Sequence, residues 1–225
     1  ELLSGSLEDV KLLLLSVVYM RGEWEDIFDE KDTREHNFHA KDNTKQVNMM
    51  YLNTGLSYVE SSNLESQVLS LPYKDSPLSF LVFLPKASQT VDGLISSLSS
   101  DNIKEAVDSM TIRDVELRLP KFKIEKEIDL IPMLKELGAE EVFTTQADMS
   151  GFTNEDLYVN KALQKVILEV DEKGTTAAAT TAIDAAFTSL RYPQKFTADH
   201  PFVYMIYDRV SAMPLFVGVM MDPTM

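Results

Sequence analysis

Between residues 47 and 84 the chain is cut into short apolar runs, and prolines sit at the cuts. The runs 47–50, 56–60, 67–71 and 78–84 are each too short for a helix of ordinary length. Pro72, Pro77 and Pro85 punctuate them, and proline has no N–H to give a sheet ladder. This spacing predicts a meander of antiparallel strands. A longer apolar run, 10–19, reads as a strand buried on both faces or as a short buried helix. Gly22 and the acidic stretch 23–32 end it.

Residues 91–98 and 102–110 carry apolar side chains at intervals of three and four and predict two helices, with Asp101 as a cap. Val115, Leu117 and Leu119 alternate with charged residues, so one face of that strand is buried and the other wet. A third helix is predicted over 128–137, with Pro132 in its first turn and Gly138 at its stop. A long strand follows at 157–170, then two apolar strands at 202–207 and 214–220. Strands dominate, a few helices are inserted and no repeat is evident. The fold class is α+β rather than doubly wound.

Lys and Arg total 21 against 36 Asp and Glu, a net charge of −15. Phosphate binding needs positive patches, so no nucleic-acid partner is expected. The chain has no cysteine, which excludes disulfides, zinc-thiolate sites and a cysteine nucleophile. No stretch approaches the ~18 consecutive apolar residues of a membrane span. His36 and His39 flank a strand-like Asn37-Phe38, where a spacing of three puts them on opposite faces, so no metal is expected there. No nucleophile elbow, dinucleotide fingerprint or phosphate loop occurs. An enzyme of this fold class would need convergent titratable groups in a pocket, and no pattern supplies them.

The tract 175–186 is almost all Ala and Thr. An ordinary linker would carry Gly or Pro, and none follows Gly174. Its odd positions, Thr175, Ala177, Ala179, Thr181, Ile183, Ala185 and Phe187, carry no charge, while Asp184 falls on the even face. As a strand with the odd side chains inward, Asp184 would reach solvent. The segment is suited both to an exposed loop and to a buried strand.

Several motifs then occur in order. They are Tyr19-Met20-Arg21-Gly22-Glu23-Trp24, Leu71-Pro72-Tyr73, Phe83-Leu84-Pro85, Leu119-Pro120-Lys121-Phe122 and Phe196-Thr197-Ala198-Asp199-His200-Pro201-Phe202. With them goes the hinge-like Glu172, Lys173, Gly174, Thr175, Thr176, Ala177, Ala178, Ala179 and Thr180. This ordered set resembles the C-terminal part of a serpin over the whole chain. The resemblance implies a single serpin-like domain over 1–225, incomplete at its N-terminus and lacking the N-terminal helices. It implies large mixed sheets and an exposed reactive loop at about 172–195.

The function so implied is inhibition of a serine protease by a suicide substrate with no catalytic residue or cofactor. The loop is cleaved, and the acyl-enzyme is trapped as the loop inserts into a central sheet. Counting the family's usual loop length on from Glu172, or back from Phe196, reaches the bond Thr188–Ser189. Threonine there suits an elastase-like protease. Arg191, beside Leu190, suits a trypsin-like pocket, and a longer leading side would present Arg191–Tyr192; both bonds stay open. Lys121 and Glu172 occupy places where serpins pair a lysine with the hinge glutamate, and Trp24 lies in the same opening region. Serpins usually have Asn where Ser16 stands and His where Gln164 stands, and a Ser–Gln hydrogen bond is the expected substitute. The family further implies an extracellular protein, monomeric when complete. The alternative is a non-inhibitory serpin acting as carrier, chaperone or storage protein.

Overall fold

The computed structural model describes residues 10–20, 22–151, 153–175 and 192–224. In chain order these form β1 (Leu12–Tyr19), β2 (Gly22–Glu23), β3 (Arg34–His39), β4 (Thr44–Ser61), β5 (Ser66–Pro72) and β6 (Leu78–Pro85). Helices α1 (Val91–Ser97) and α2 (Ser100–Asp108) follow, then β7 (Thr111–Pro120), β8 (Phe122–Asp129) and helix α3 (Ile131–Glu136). The last strands are β9 (Val159–Val170), β10 (Gly174–Thr175), β11 (Gln194–Thr197), β12 (Phe202–Asp208) and β13 (Met213–Met220). Strands outweigh helices, as α+β requires. The chain divides into two units, residues 1–20 with 124–168 and residues 21–123 with 169–225.

In the first unit β9 is the middle strand of three, with β1 on one side and β8 on the other. β1 runs parallel to β9, with Leu13 opposite Lys161 and Tyr19 opposite Ile167. The run at 10–19 is thus a strand, but not one buried on both faces. Leu14, Leu15, Val17 and Tyr19 are 41–53% exposed, and among the described residues β1 pairs with β9 alone. The helix predicted over 128–137 is shorter than expected. The strand period of β8 runs on to Asp129, whose carboxylate then accepts from the Ile131 N–H and starts α3 there. Gly138 closes α3 at φ +93°, in the left-handed region.

The second unit is built on an eight-stranded sheet in the order β11-β7-β4-β5-β6-β12-β13, with β3 paired to β4. The runs at 47–50 and 56–60 are parts of one strand of 18 residues, not two. Asn53, Thr54 and Gly55 look like a break but stay in the ladder opposite Glu116, Val115 and Asp114, so pairing with β7 overrides local propensity. That length lets β4 serve β3 at one end, β7 along its middle and β5 at the other end.

Helices α1 and α2 cover one face, where Leu64, Val68, Leu81, Phe83, Leu94, Ala106, Val203 and Met205 form the core. The cap of α2 is Ser99, not Asp101. The Ser99 hydroxyl accepts from the Asn102 N–H at 3.1 Å, and Asp101 lies in the first turn, where its charge suits the helix dipole. β13 is the other sheet edge, and its alternate residues Met213, Leu215, Val217 and Val219 are exposed.

The Tyr204 ring covers Gly218, its registered partner on β13, and leaves no room for a Cβ. Gly218→Ala should therefore overpack this buried ring and cost about 1–3 kcal/mol in chemical denaturation. Gly151→Ala, where nothing lies within 4 Å of the new Cβ, should leave the midpoint unchanged.

Candidate functional site

Beyond Val170 the chain folds back on itself in a tight turn. The Asp171 N–H donates to the Gly174 carbonyl at 3.1 Å, and the Gly174 N–H returns the bond at 3.3 Å. The Asp171 carboxylate accepts from the N–H groups of Lys173 and Gly174, an Asx turn that holds the reversal from inside. Only glycine fits at 174. Its φ is +134°, and a Cβ there would lie 2.6 Å from Glu23 Cα and 2.8 Å from the Trp24 nitrogen. Gly174 and Thr175 then pair antiparallel with Glu23 and Gly22.

A clamp of backbone and indole donors receives this turn. The Trp24 N–H donates to the Lys173 carbonyl at 3.1 Å, and the Phe28 N–H donates to the Glu172 carbonyl at 2.9 Å. The Trp24 indole Nε1–H donates to the Asp171 carbonyl at 2.9 Å. Trp24 is itself buried, stacked on Tyr73 at 4.8 Å and edge-on to Phe80. Lys173 Nζ lies 3.3 Å from Glu30 Oε1.

The Glu172 carboxylate is the one buried charge in the clamp. Lys121 Nζ donates to one oxygen at 2.7 Å and the Thr33 hydroxyl to the other at 2.9 Å. Burial pushes this carboxyl up, but the bonds from Lys121 and Thr33 outweigh it and hold it below the usual glutamate value of 4.5. The hydrogen bond that Lys121 donates to Glu172 in turn pushes Lys121 above 10.5. Trp24, Lys121 and Glu172 thus converge where the motifs suggested. Thr33 and Phe28 are additions of the fold, and Tyr73, quoted only within the motif Leu71-Pro72-Tyr73, is brought onto Trp24 by it. Thr33 lies 139 residues from Glu172 in the chain, and no local signal marks it.

Other candidate residues are placed as follows. Ser16 stands opposite Gln164 in the β1–β9 register. Thr176, Ala177, Ala178, Ala179, Thr180, Thr188, Ser189 and Arg191 lie outside the described residues, and of Thr175 only the backbone is described. Tyr192 is 96% exposed, two residues before β11.

β11 lies parallel to β7, with Phe196 opposite Leu117. Phe196, Ala198 and Phe202 are buried. Between them the His200 ring bridges two acceptors, the Asp199 carboxylate at 2.8 Å on Nδ1 and the Pro85 carbonyl at 2.9 Å on Nε2. Both partners only accept, so the ring is satisfied as the doubly protonated imidazolium. The hydrogen bond to Asp199 accordingly holds the His200 pKa above 6.5. The Asp199 carbonyl also accepts from the His39 N–H at 2.6 Å, which ties the β11–β12 connection to β3.

The serpin (serine protease inhibitor) family model matches residues 1–223. The chain is 32% identical over 221 residues to a serine protease inhibitor of Cyanea capillata, covering 96% of this chain and 58% of that protein. It is 36% identical over 234 residues to leukocyte elastase inhibitor A of Rattus norvegicus, covering 99% and 62%. Among solved structures it superposes on Manduca sexta serpin-12 with a TM-score of 0.81, at 31% identity over 95% of this chain and 57% of that one. Human thyroxine-binding globulin with its hormone matches with a TM-score of 0.88, at 27% identity over 99% and 59%. These matches define a class, the serpin fold of mixed β-sheets with few helices. The chain belongs to the serpin family. It spans about three fifths of the length of these relatives.

Two pH edges follow. A carboxyl depressed in the folded state stabilises fully above its unfolded value, near 4.5 for Glu172, and that contribution is lost as pH falls through the depressed value. Lys121→Met should cost about 1–2 kcal/mol at neutral pH, less than a fully buried pair because the lysine is part-exposed. Glu172→Gln should flatten this acid edge in denaturation series. The His200 contribution has the opposite sign. It is present below 6.5 and lost as pH rises through the raised pKa. Melting temperatures of the wild type should fall across that window, and those of His200→Gln should not.

Proposed function

We propose that the protein inhibits a serine protease as a suicide substrate. The protease serine attacks a carbonyl between the hinge and β11, the amine of the following residue leaves, and an acyl-enzyme ester remains. Because the turn at Asp171–Gly174 reverses the chain, the released tract runs back antiparallel to β9. It enters between β1 and β9, parting the register from Leu13–Lys161 to Tyr19–Ile167. The observation that carries this reading is the clamped reversal at Gly174 joined to a tract of small residues. Bulky side chains at Thr175, Ala177, Ala178 and Ala179 would resist entry between strands. An elastase-like target and cleavage at Thr188–Ser189 are preferred, supported by the leukocyte elastase inhibitors among the relatives. Arg191–Tyr192 and a trypsin-like target remain the second choice. No relative's name supports the extracellular setting that the resemblance implied.

A carrier role is the second reading, favoured by the TM-score of 0.88 to thyroxine-binding globulin. Incubation of the full-length protein with elastase and trypsin should give a band at the summed mass that survives boiling in detergent. Ala177→Arg should abolish that band while leaving the loop cleavable. Cleavage without any such band in the wild type would reject inhibition and favour the carrier.

A further inference from the structure

We propose that Tyr73 is a positioning residue that sets how firmly the hinge is held before release; this rests on the inhibitory reading above. Beside the contacts from Phe28, Glu30 and Thr33, the hinge is held by the few residues that begin at Gly22. Glu23 and Gly22 pair with Gly174 and Thr175, and Trp24 donates from both its backbone and its indole. What backs this short strand is Tyr73. The two segments are stitched by the Trp24–Tyr73 bridge, by the Lys74 N–H on the Glu23 carbonyl at 2.8 Å and by the Glu25 N–H on the Pro72 carbonyl at 3.0 Å.

The Tyr73 ring fills two places at once. It stacks on the Trp24 indole with an interplanar angle of 16°, and it lies flat against the bare backbone of Gly22. A Cβ at Gly22 would sit 2.6 Å from ring Cδ1 and 3.2 Å from Cγ, so any other residue would push the ring away. On the same strand Gly174 approaches Glu23 Cα and the Trp24 nitrogen with equally little room. Ring, strand and hinge are therefore in tight succession. A shift of the ring is passed to the hinge through Gly22 and Trp24, because close-packed groups do not absorb it.

Insertion requires Thr175 to leave Gly22, and so requires this platform to let go. Without the ring, the platform loses its backing and the hinge opens more often. The reporters are the amides of Trp24 and Phe28, which donate to Lys173 and Glu172. In full-length protein, Tyr73→Leu should speed hydrogen exchange at these two amides about tenfold or more, while amides of β6 stay at wild-type rates. Tyr73→Phe keeps the ring and should restore slow exchange. Gly22→Ala displaces the ring without opening a cavity and should give the same local acceleration, so the proposal stays testable if Tyr73→Leu does not fold.

Wild-type exchange at Trp24 and Phe28 in the folded variants would overturn the proposal, as would acceleration spread equally into β6. The stoichiometry of protease trapping, measured alongside, separates the two claims. Covalent complexes with unchanged exchange leave inhibition standing and remove Tyr73's role. Faster hinge exchange in a protein that never traps a protease keeps the role and removes inhibition.

Discussion

A buried carboxylate with two donors governs the arrangement around the hinge. Glu172 is 5% exposed, and a charge in that position is tolerated only because Lys121 and Thr33 each occupy one of its oxygens. Those two residues come from different parts of the chain, one at the end of β7 and one before β3. Holding the carboxylate therefore holds both elements to the turn. The indole and backbone N–H of Trp24 then close on the carbonyls of Asp171 and Lys173 at either side of it, and the Phe28 amide closes on the carbonyl of Glu172 itself. None of these contacts is large alone. Together they fix the direction in which the chain leaves β9.

Beyond the undescribed residues the chain is anchored by a different device. β11 is a parallel edge strand on β7, and its continuation is stapled by the His200 ring between Asp199 and Pro85. One anchor depends on a deprotonated glutamate and the other on a protonated histidine. The two anchors are strongest together in the interval where the carboxylate and the imidazolium are both charged.

Much of the fold was legible because strand and helix periods survive in the sequence. β5, β6, β12 and β13 fall on the apolar runs, and Val115, Leu117 and Leu119 are buried as their alternation requires. The misreadings share one cause. Asn53 to Gly55 look like a turn, 128–129 look helical, and Leu14 to Tyr19 look buried, yet each outcome depends on what lies beside the strand. β7 keeps β4 continuous, β9 flanks β8, and among the described residues β1 has a neighbour on one side only. For the site, Trp24, Lys121 and Glu172 were found through motifs. Thr33 and Phe28 carry no local signature, and Tyr73 stood only inside the motif Leu71-Pro72-Tyr73, with nothing to say that its ring would meet Trp24.

What the sequence by itself determined is the supply of parts. It placed a glycine where the chain must reverse, small residues after it, a single tryptophan in an ordered motif far from the reversal along the chain and the apolar periods of the sheets. Tertiary structure alone decided which distant groups meet. The carboxylate at Glu172 selects a lysine 51 and a threonine 139 residues away, and Tyr73 reaches Gly22 only because two segments are stitched side by side. Local propensity acts over a few residues, whereas a buried charge or a stacked ring is satisfied by whatever the packed chain brings within a few ångströms.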